Sequence, residues 1–113
     1  MQVDETAERV GRNEALYRVV NEKIQALGEA FGLVTESMTI VCECGDIACA
    51  EQIVLPIPEY ERVRADPTHF AIRPGHDVAG VEAVIERHDP EYHVVRKRPG
   101  GPAELARETD PRS

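Results

Sequence analysis

The sequence predicts a small α+β domain, with a long N-terminal helix packed on a small antiparallel sheet and a cysteine-rich knuckle between two strands. Three observations carry that prediction. Apolar residues recur at steps of three and four from Leu16 to Phe31, short β-branched runs follow it, and every cysteine falls within "VCECGDIAC", residues 41–49. A chain of 113 residues has room for one core and not for two.

The elements follow in order. Residues 1–11 are polar and are expected to be flexible or loosely helical, leaving 12–98 as the domain proper. Leu16, Val20, Ile24, Leu27 and Phe31 mark one stripe of a helix, capped by Asn13 and ended by Gly32. Glu14, Arg18, Glu22, Gln25 and Glu29 lie on its other faces, as a solvated side would. The simple expectation is that the apolar stripe packs on the sheet, and the alternative is that it pairs with a second helix. "SMTIVCEC" (37–44) and "EQIVLPI" (51–57) predict two strands with the cysteines at the turn between them. "PEYERVRADP" (58–67) predicts a short helix, with Pro58 at its first position and Pro67 as its stop. "HFAIRPGH" (69–76) predicts a strand running into a Pro-Gly turn. Residues 81–98 predict a hairpin around "HDPE", with Val81, Ala83 and Ile85 on one face; Val84 breaks that alternation and keeps a helix over 78–87 open. The tail, 99–113, opens with "PGG" and is expected to be flexible or only locally helical.

Composition narrows the function classes. There is no Trp and there are only 2 Phe and 3 Tyr, so the core is aliphatic and thin, and a thin core calls for a staple. A net charge of −8 argues against nucleic acid, whose backbone needs clustered Lys and Arg. The basic run Arg96, Lys97, Arg98 is short and fits a solvated strand end. No apolar run reaches the roughly 20 residues that a membrane span requires. The acidic start lacks a secretory signal's apolar stretch, which makes the cytoplasm the expected setting. In a reducing compartment, closely spaced cysteines point to metal or redox chemistry before disulfides.

Cys42, Cys44 and Cys49 read C-x-C-G-x-x-x-C. Residues two apart on a strand share a face, so Cys42 and Cys44 can chelate one ion. Gly45 permits a turn that exposes N–H groups to thiolate sulfurs, and Cys49 returns at the mouth of the next strand. Three thiolates on a strand-turn-strand unit suit a zinc knuckle, and a structural zinc ion asks for a fourth ligand. His76, presented after "RPG", is the favoured candidate, ahead of His69, His88, His93 and Asp46. Buried packing accounts for one or two cysteines, but not for three interrupted by Glu43, Gly45 and Asp46. Zn2+ is preferred over an iron–sulfur cluster: the CDGSH-type Cys3His proteins also begin C-x-C, but they hold their remaining ligands in one tight segment, whereas Cys49 and His76 lie far apart here. An all-thiolate shell is a poor Lewis acid, and H-x-E with P-C-x-x-C and H-E-x-x-H are both absent, so a structural site is favoured over a catalytic one. An open fourth position, with Glu43 or Glu51 as base, is the metalloenzyme alternative.

"CECGDIAC", "YERVRADPTHFAIRPGH" and "VVRKRPG…ETDPR" together resemble a group of small actinobacterial proteins that share C-x-C-G-x3-C followed by P-G-H. The resemblance spans most of the chain and implies that His76 accompanies the cysteines; it brings no activity, substrate or partner. The expected function is a zinc-stabilised protein-binding or regulatory module whose partner is another protein. A thiol redox sensor is the main alternative, and the oligomeric state stays open.

Overall fold

A computed structural model describes residues 3–30, 37–44, 46 and 48–112, and within the first helix the side chains from residue 11 to 27. The elements run α1 (Val3–Ala30), β1 (Ser37–Val41), β2 (Gln52–Pro56), α2 (Ile57–Arg64), β3 (His69–Ile72), β4 (Glu82–His88), β5 (Tyr92–Lys97) and α3 (Gly101–Glu108). This is the expected α+β arrangement, with antiparallel pairing throughout. The strands form two small sheets: the hairpin β1–β2, and a three-stranded sheet in the order β3-β5-β4. Among the described residues no helix is long and apolar enough to cross a membrane.

The strand patterns follow the pleat. Met38 and Ile40 on β1 face inward and pair with Leu55 and Ile53 on β2, while Thr39 and Val54 face out. The hairpin's inner face joins α2 through Ile57, Tyr60 and Val63 and joins β3 through Phe70 and Ile72. On β4 the break at Val84 is a bulge. The register steps from Val84↔Val95 to Glu86↔Val94, which leaves Ile85 unpaired and half-exposed. The inward face of β4 is therefore carried by Glu82 and Val84, and the expected Val81, Ala83, Ile85 face does not hold along the strand. The segment is a strand and not a helix.

Two other expectations are corrected. The helix begins at Val3, so Asn13 lies inside it and is not its cap. Residues 3–12 carry Asp4 and Glu5 near the positive end of the helix dipole, with Glu8, Arg9 and Arg12 as good helix formers behind them. The proposed stop at Gly32, and Phe31 before it, lie outside the described residues. The tail, expected to be flexible or only locally helical, carries a helix. Residues 101–108 form α3, whose Ala103 and Ala106 are buried. A side chain at Gly11 of α1 would meet Leu105 Cδ2 at 2.5 Å, so glycine permits the close approach of α1 to α3. Arg64 binds Asp110 at 2.5 Å, and Arg112 binds Glu22 at 2.7 Å and Glu61, which ties down the residues after α3.

The largest correction concerns which side of α1 faces the protein. Leu16, Val20 and Leu27 are 52%, 38% and 60% exposed, whereas Glu14, Arg18 and Asn21 are fully buried and Gln25 nearly so. Among the described residues of the expected stripe, only Ile24 rests on the core. Glu14, Arg18 and Asn21 each meet a partner that lies far away in sequence. Arg18 donates to Pro67 O and Ala106 O, each at 2.7 Å, and its guanidinium stacks 4.4 Å from the Phe70 ring. Asn21 accepts from Val41 N–H and donates to Val41 O, both at 2.8 Å, so its amide continues the hairpin's edge as a strand would. Glu14 and Glu82 both hold the Lys97 ammonium, Glu82 at 2.8 Å. Periodicity reports that a helix has two faces; it does not report which one a hydrogen-bonding surface will accept.

Candidate metal centre

The centre sits at the seam between the two sheets. Past the end of β1 the ladder continues for one step, with Cys42 N–H donating to Glu51 O at 2.9 Å. The next residue changes sheets: Glu43 N–H donates to Ala71 O at 2.9 Å, and the Glu43 carboxylate accepts from Ala71 N–H at 3.0 Å and from Asn21 Nδ2 at 2.8 Å. Glu43 is fully buried, and burial raises its pKa against the pull of Asn21 and the Ala71 N–H. It is thus a brace joining α1, β1 and β3, with both carboxylate oxygens engaged, which removes it as a candidate general base.

This brace fixes Cys42 and Cys44 on the same side of the segment. The chain then turns, with Ala48 N–H bonding Asp46 Oδ1 and Cys49 N–H bonding Asp46 O, each at 2.9 Å. That turn returns Cys49 towards the pair. Gly45 itself, expected to supply the turn, lies outside the described residues. From the other sheet, β3 ends in Arg73-Pro74-Gly75-His76, closed by His76 N–H to Arg73 O at 3.1 Å, with Gly75 at φ 85°. Proline second and glycine third, the latter in the left-handed region, is the signature of a type II turn. It holds the imidazole rigidly over the thiols.

Cys42, Cys44, Cys49 and His76 come together, their ligand atoms all within 4.8 Å of one another. His76 Nδ1 lies 3.6 Å from both Cys42 Sγ and Cys49 Sγ. Bonds of about 2.3 Å to sulfur and about 2.05 Å to nitrogen, at a tetrahedral angle, put the two ligand atoms about 3.6 Å apart. The two sulfur–nitrogen distances match those between ligands of one ion. Nε2 of the same ring lies 2.9 Å from Glu51 Oε2. A proton held there by the carboxylate leaves the Nδ1 lone pair directed at the sulfurs, the carboxylate–histidine arrangement that orients metal-binding imidazoles. Nothing in the spacing of the sequence marked Glu51 for that role.

The sulfurs are also supplied with donors. Arg73 N–H reaches Cys42 Sγ at 3.2 Å, and the N–H groups of Asp46 and Glu51 serve Cys44 and Cys49. A hydrogen bond between Cys42 and Cys44 separates their acidities: Cys44 is drawn down to about 5 by its donation from Cys42, while Cys42 is pushed up by the same bond and by burial. Burial and the charge of the cysteines and Asp46 also raise the Tyr17 phenol on α1, which places that side chain in the field of the site. A cavity of about 260 Å³ lined by Cys44, Asp46, His76 and Val78 opens beside the centre.

The other sequence candidates lie elsewhere. His69 pairs with Asp66 at 3.4 Å. His88 stacks on Tyr92 and bonds Glu86 at 2.9 Å. His93 bonds Asp89 at 2.6 Å. Asp46 is exposed, with one carboxylate oxygen closing its own turn.

The chain matches no protein-family model, no curated protein and no solved structure. The geometry of the site is what function has to be argued from.

Proposed function

We propose that this chain is a small zinc-stabilised protein-binding or regulatory module in which Cys42, Cys44, Cys49 and His76 form a structural Cys3His zinc site. The convergence of those four residues at the junction of the two sheets carries the reading. Three thiolates and an imidazole are the soft donor set that suits Zn2+. The sulfur–nitrogen spacing of 3.6 Å fits a single tetrahedral ion, whereas a two-iron cluster spreads its ligands over two metals. Four protein ligands close the tetrahedron, which favours structure over catalysis. Exposed Asp46, Glu51 and Asp77 surround the centre, and a negative rim of this kind repels phosphate, so a protein partner is preferred over nucleic acid.

The site would clip the β1–β2 hairpin to the turn that leaves β3. In a domain with so thin a core, the free energy of metal binding becomes free energy of folding, about 10–16 kcal/mol for structural zinc in small domains. Native mass spectrometry should find one zinc per chain, without the visible absorbance of an iron–sulfur cluster. Chelation should then abolish cooperative thermal melting. A metal-free chain that melts unchanged would overturn the proposal.

A further inference from the structure

The outward face of α1 is the feature that neither the fold nor the metal centre uses. From residue 12 to residue 27 every exposed position of this helix is apolar or cationic: Arg12, Leu16, Val19, Val20, Lys23, Ala26 and Leu27. No acid stands among them, in a chain with 21 Asp and Glu and a net charge of −8. The acids of this stretch are turned inward and engaged: Glu14 holds Lys97, and Glu22 receives Arg64 at 2.8 Å and Arg112 at 2.7 Å. Leu16 and Leu27 are 52% and 60% exposed and stand three helical turns apart, with Val19 and Val20 between them. Contiguous apolar surface of this kind on a soluble domain marks an interaction site.

We infer that this face docks an amphipathic helix of a partner protein, with an apolar seam lying on Leu16, Val20 and Leu27 and an acidic flank meeting Lys23. Charge decides the occupant. A second copy of the chain would oppose like charges over this stretch, because among the described side chains from residue 12 to 27 the exposed face carries cations and no acid. An anionic bilayer would attract the face and repel the rest of the molecule. An acidic amphipathic helix satisfies both the apolar seam and Lys23. Polar anchoring explains how the face stays available: α1 is held from behind by Glu14, Arg18 and Asn21, so its leucines are not drawn into the core.

The inference rests on the reading of the domain as a protein-binding module, and its test separates it from the zinc site. The probes are two designed helical peptides that share one leucine seam, flanked in one by glutamate and in the other by lysine. Fluorescence anisotropy on the metal-loaded chain should show the glutamate peptide binding about tenfold tighter than the lysine peptide. The double variant Leu16→Glu, Leu27→Glu should lose that binding while keeping wild-type melting and metal content, since both positions are solvent-facing. Lys23→Glu should remove the preference for the glutamate peptide and leave the fold intact. Equal binding of the two peptides, or binding unchanged in the double variant, overturns the inference. So does self-association abolished by the double variant, or binding to phosphatidylserine–phosphatidylcholine vesicles in place of the peptide. Chelation reads the zinc proposal alone, so failure of either idea leaves the other standing.

Discussion

The metal centre and the seat of α1 are both polar regions buried in a thin aliphatic protein, but they are built in opposite ways. At the candidate centre, three of the four residues that could ligate a metal come from eight consecutive residues, and the fourth arrives on a short rigid turn. Local geometry therefore does most of the placing. At the seat, the partners of Glu14, Arg18 and Asn21 lie on β5, α3 and β1, so nothing local announces them. The difference shows when a buried polar residue can be recognised. Soft ligands at chelating spacing declare themselves, whereas a buried carboxylate or guanidinium looks like a surface residue until its distant partner is seen. The two regions meet at Glu43, which sits between two cysteines and is bound by Asn21 of α1 at 2.8 Å.

The sharpest way to break the comparison is at Lys97. Its ammonium is buried between Glu14 and Glu82 and faces the Phe70 ring at 5.2 Å. Lys97→Met leaves two buried carboxylates uncompensated, and the loss of stability should be about 3–5 kcal/mol. Denaturant unfolding of the metal-loaded chain measures it. A loss under about 1 kcal/mol would mean that the seat of α1 contributes little to the fold.

A smaller effect is expected at the centre's outer support. Glu51→Gln keeps the shape but weakens the hold on His76 Nε2, and metal affinity should fall about 10- to 100-fold. Competition with a chromophoric chelator reads this directly, with the apo fold as its reference. Unchanged affinity would show that the Pro74-Gly75 turn alone orients the imidazole.

The smallest effect is a slope with pH. Burial, with Asp77 and Cys44 nearby, pushes Glu82 up to about 7 from an ordinary 4.5. Between those two values the folded chain holds a proton that the unfolded chain has released, so this group's contribution to stability falls as pH rises. Burial also draws Lys97 down to about 7, and its opposing contribution appears only above that pH. Melting temperature should therefore decline across the acid window relative to Glu82→Gln. A constant difference between the two proteins would sink the assignment.

Much of the fold was legible in the sequence for stated reasons. The β-branched runs around the cysteines became β1 and β2, Pro58 and Pro67 bracket the first turns and the end of α2, and "HDPE" became the β4–β5 turn. The anomaly at Val84 was visible as a broken alternation, and the structure resolves it as a bulge. The tail's helix could be foreseen only as one of two options, because its apolar content is two alanines and a leucine. Their value depends on Gly11 letting α3 approach α1 closely, and no single-segment pattern contains that information.

By itself, then, the sequence determined the α+β class, the position of the knuckle and the three thiols that can share an ion, because these follow from neighbours along the chain. It narrowed the fourth ligand to a short set of residues. Only the tertiary structure brought His76 and not another histidine to the sulfurs, set Glu51 behind it, and turned the polar face of α1 inward. Those outcomes depend on contacts between residues tens of positions apart, where hydrogen bonding and charge pairing overrode the apolar stripe that the helix displays.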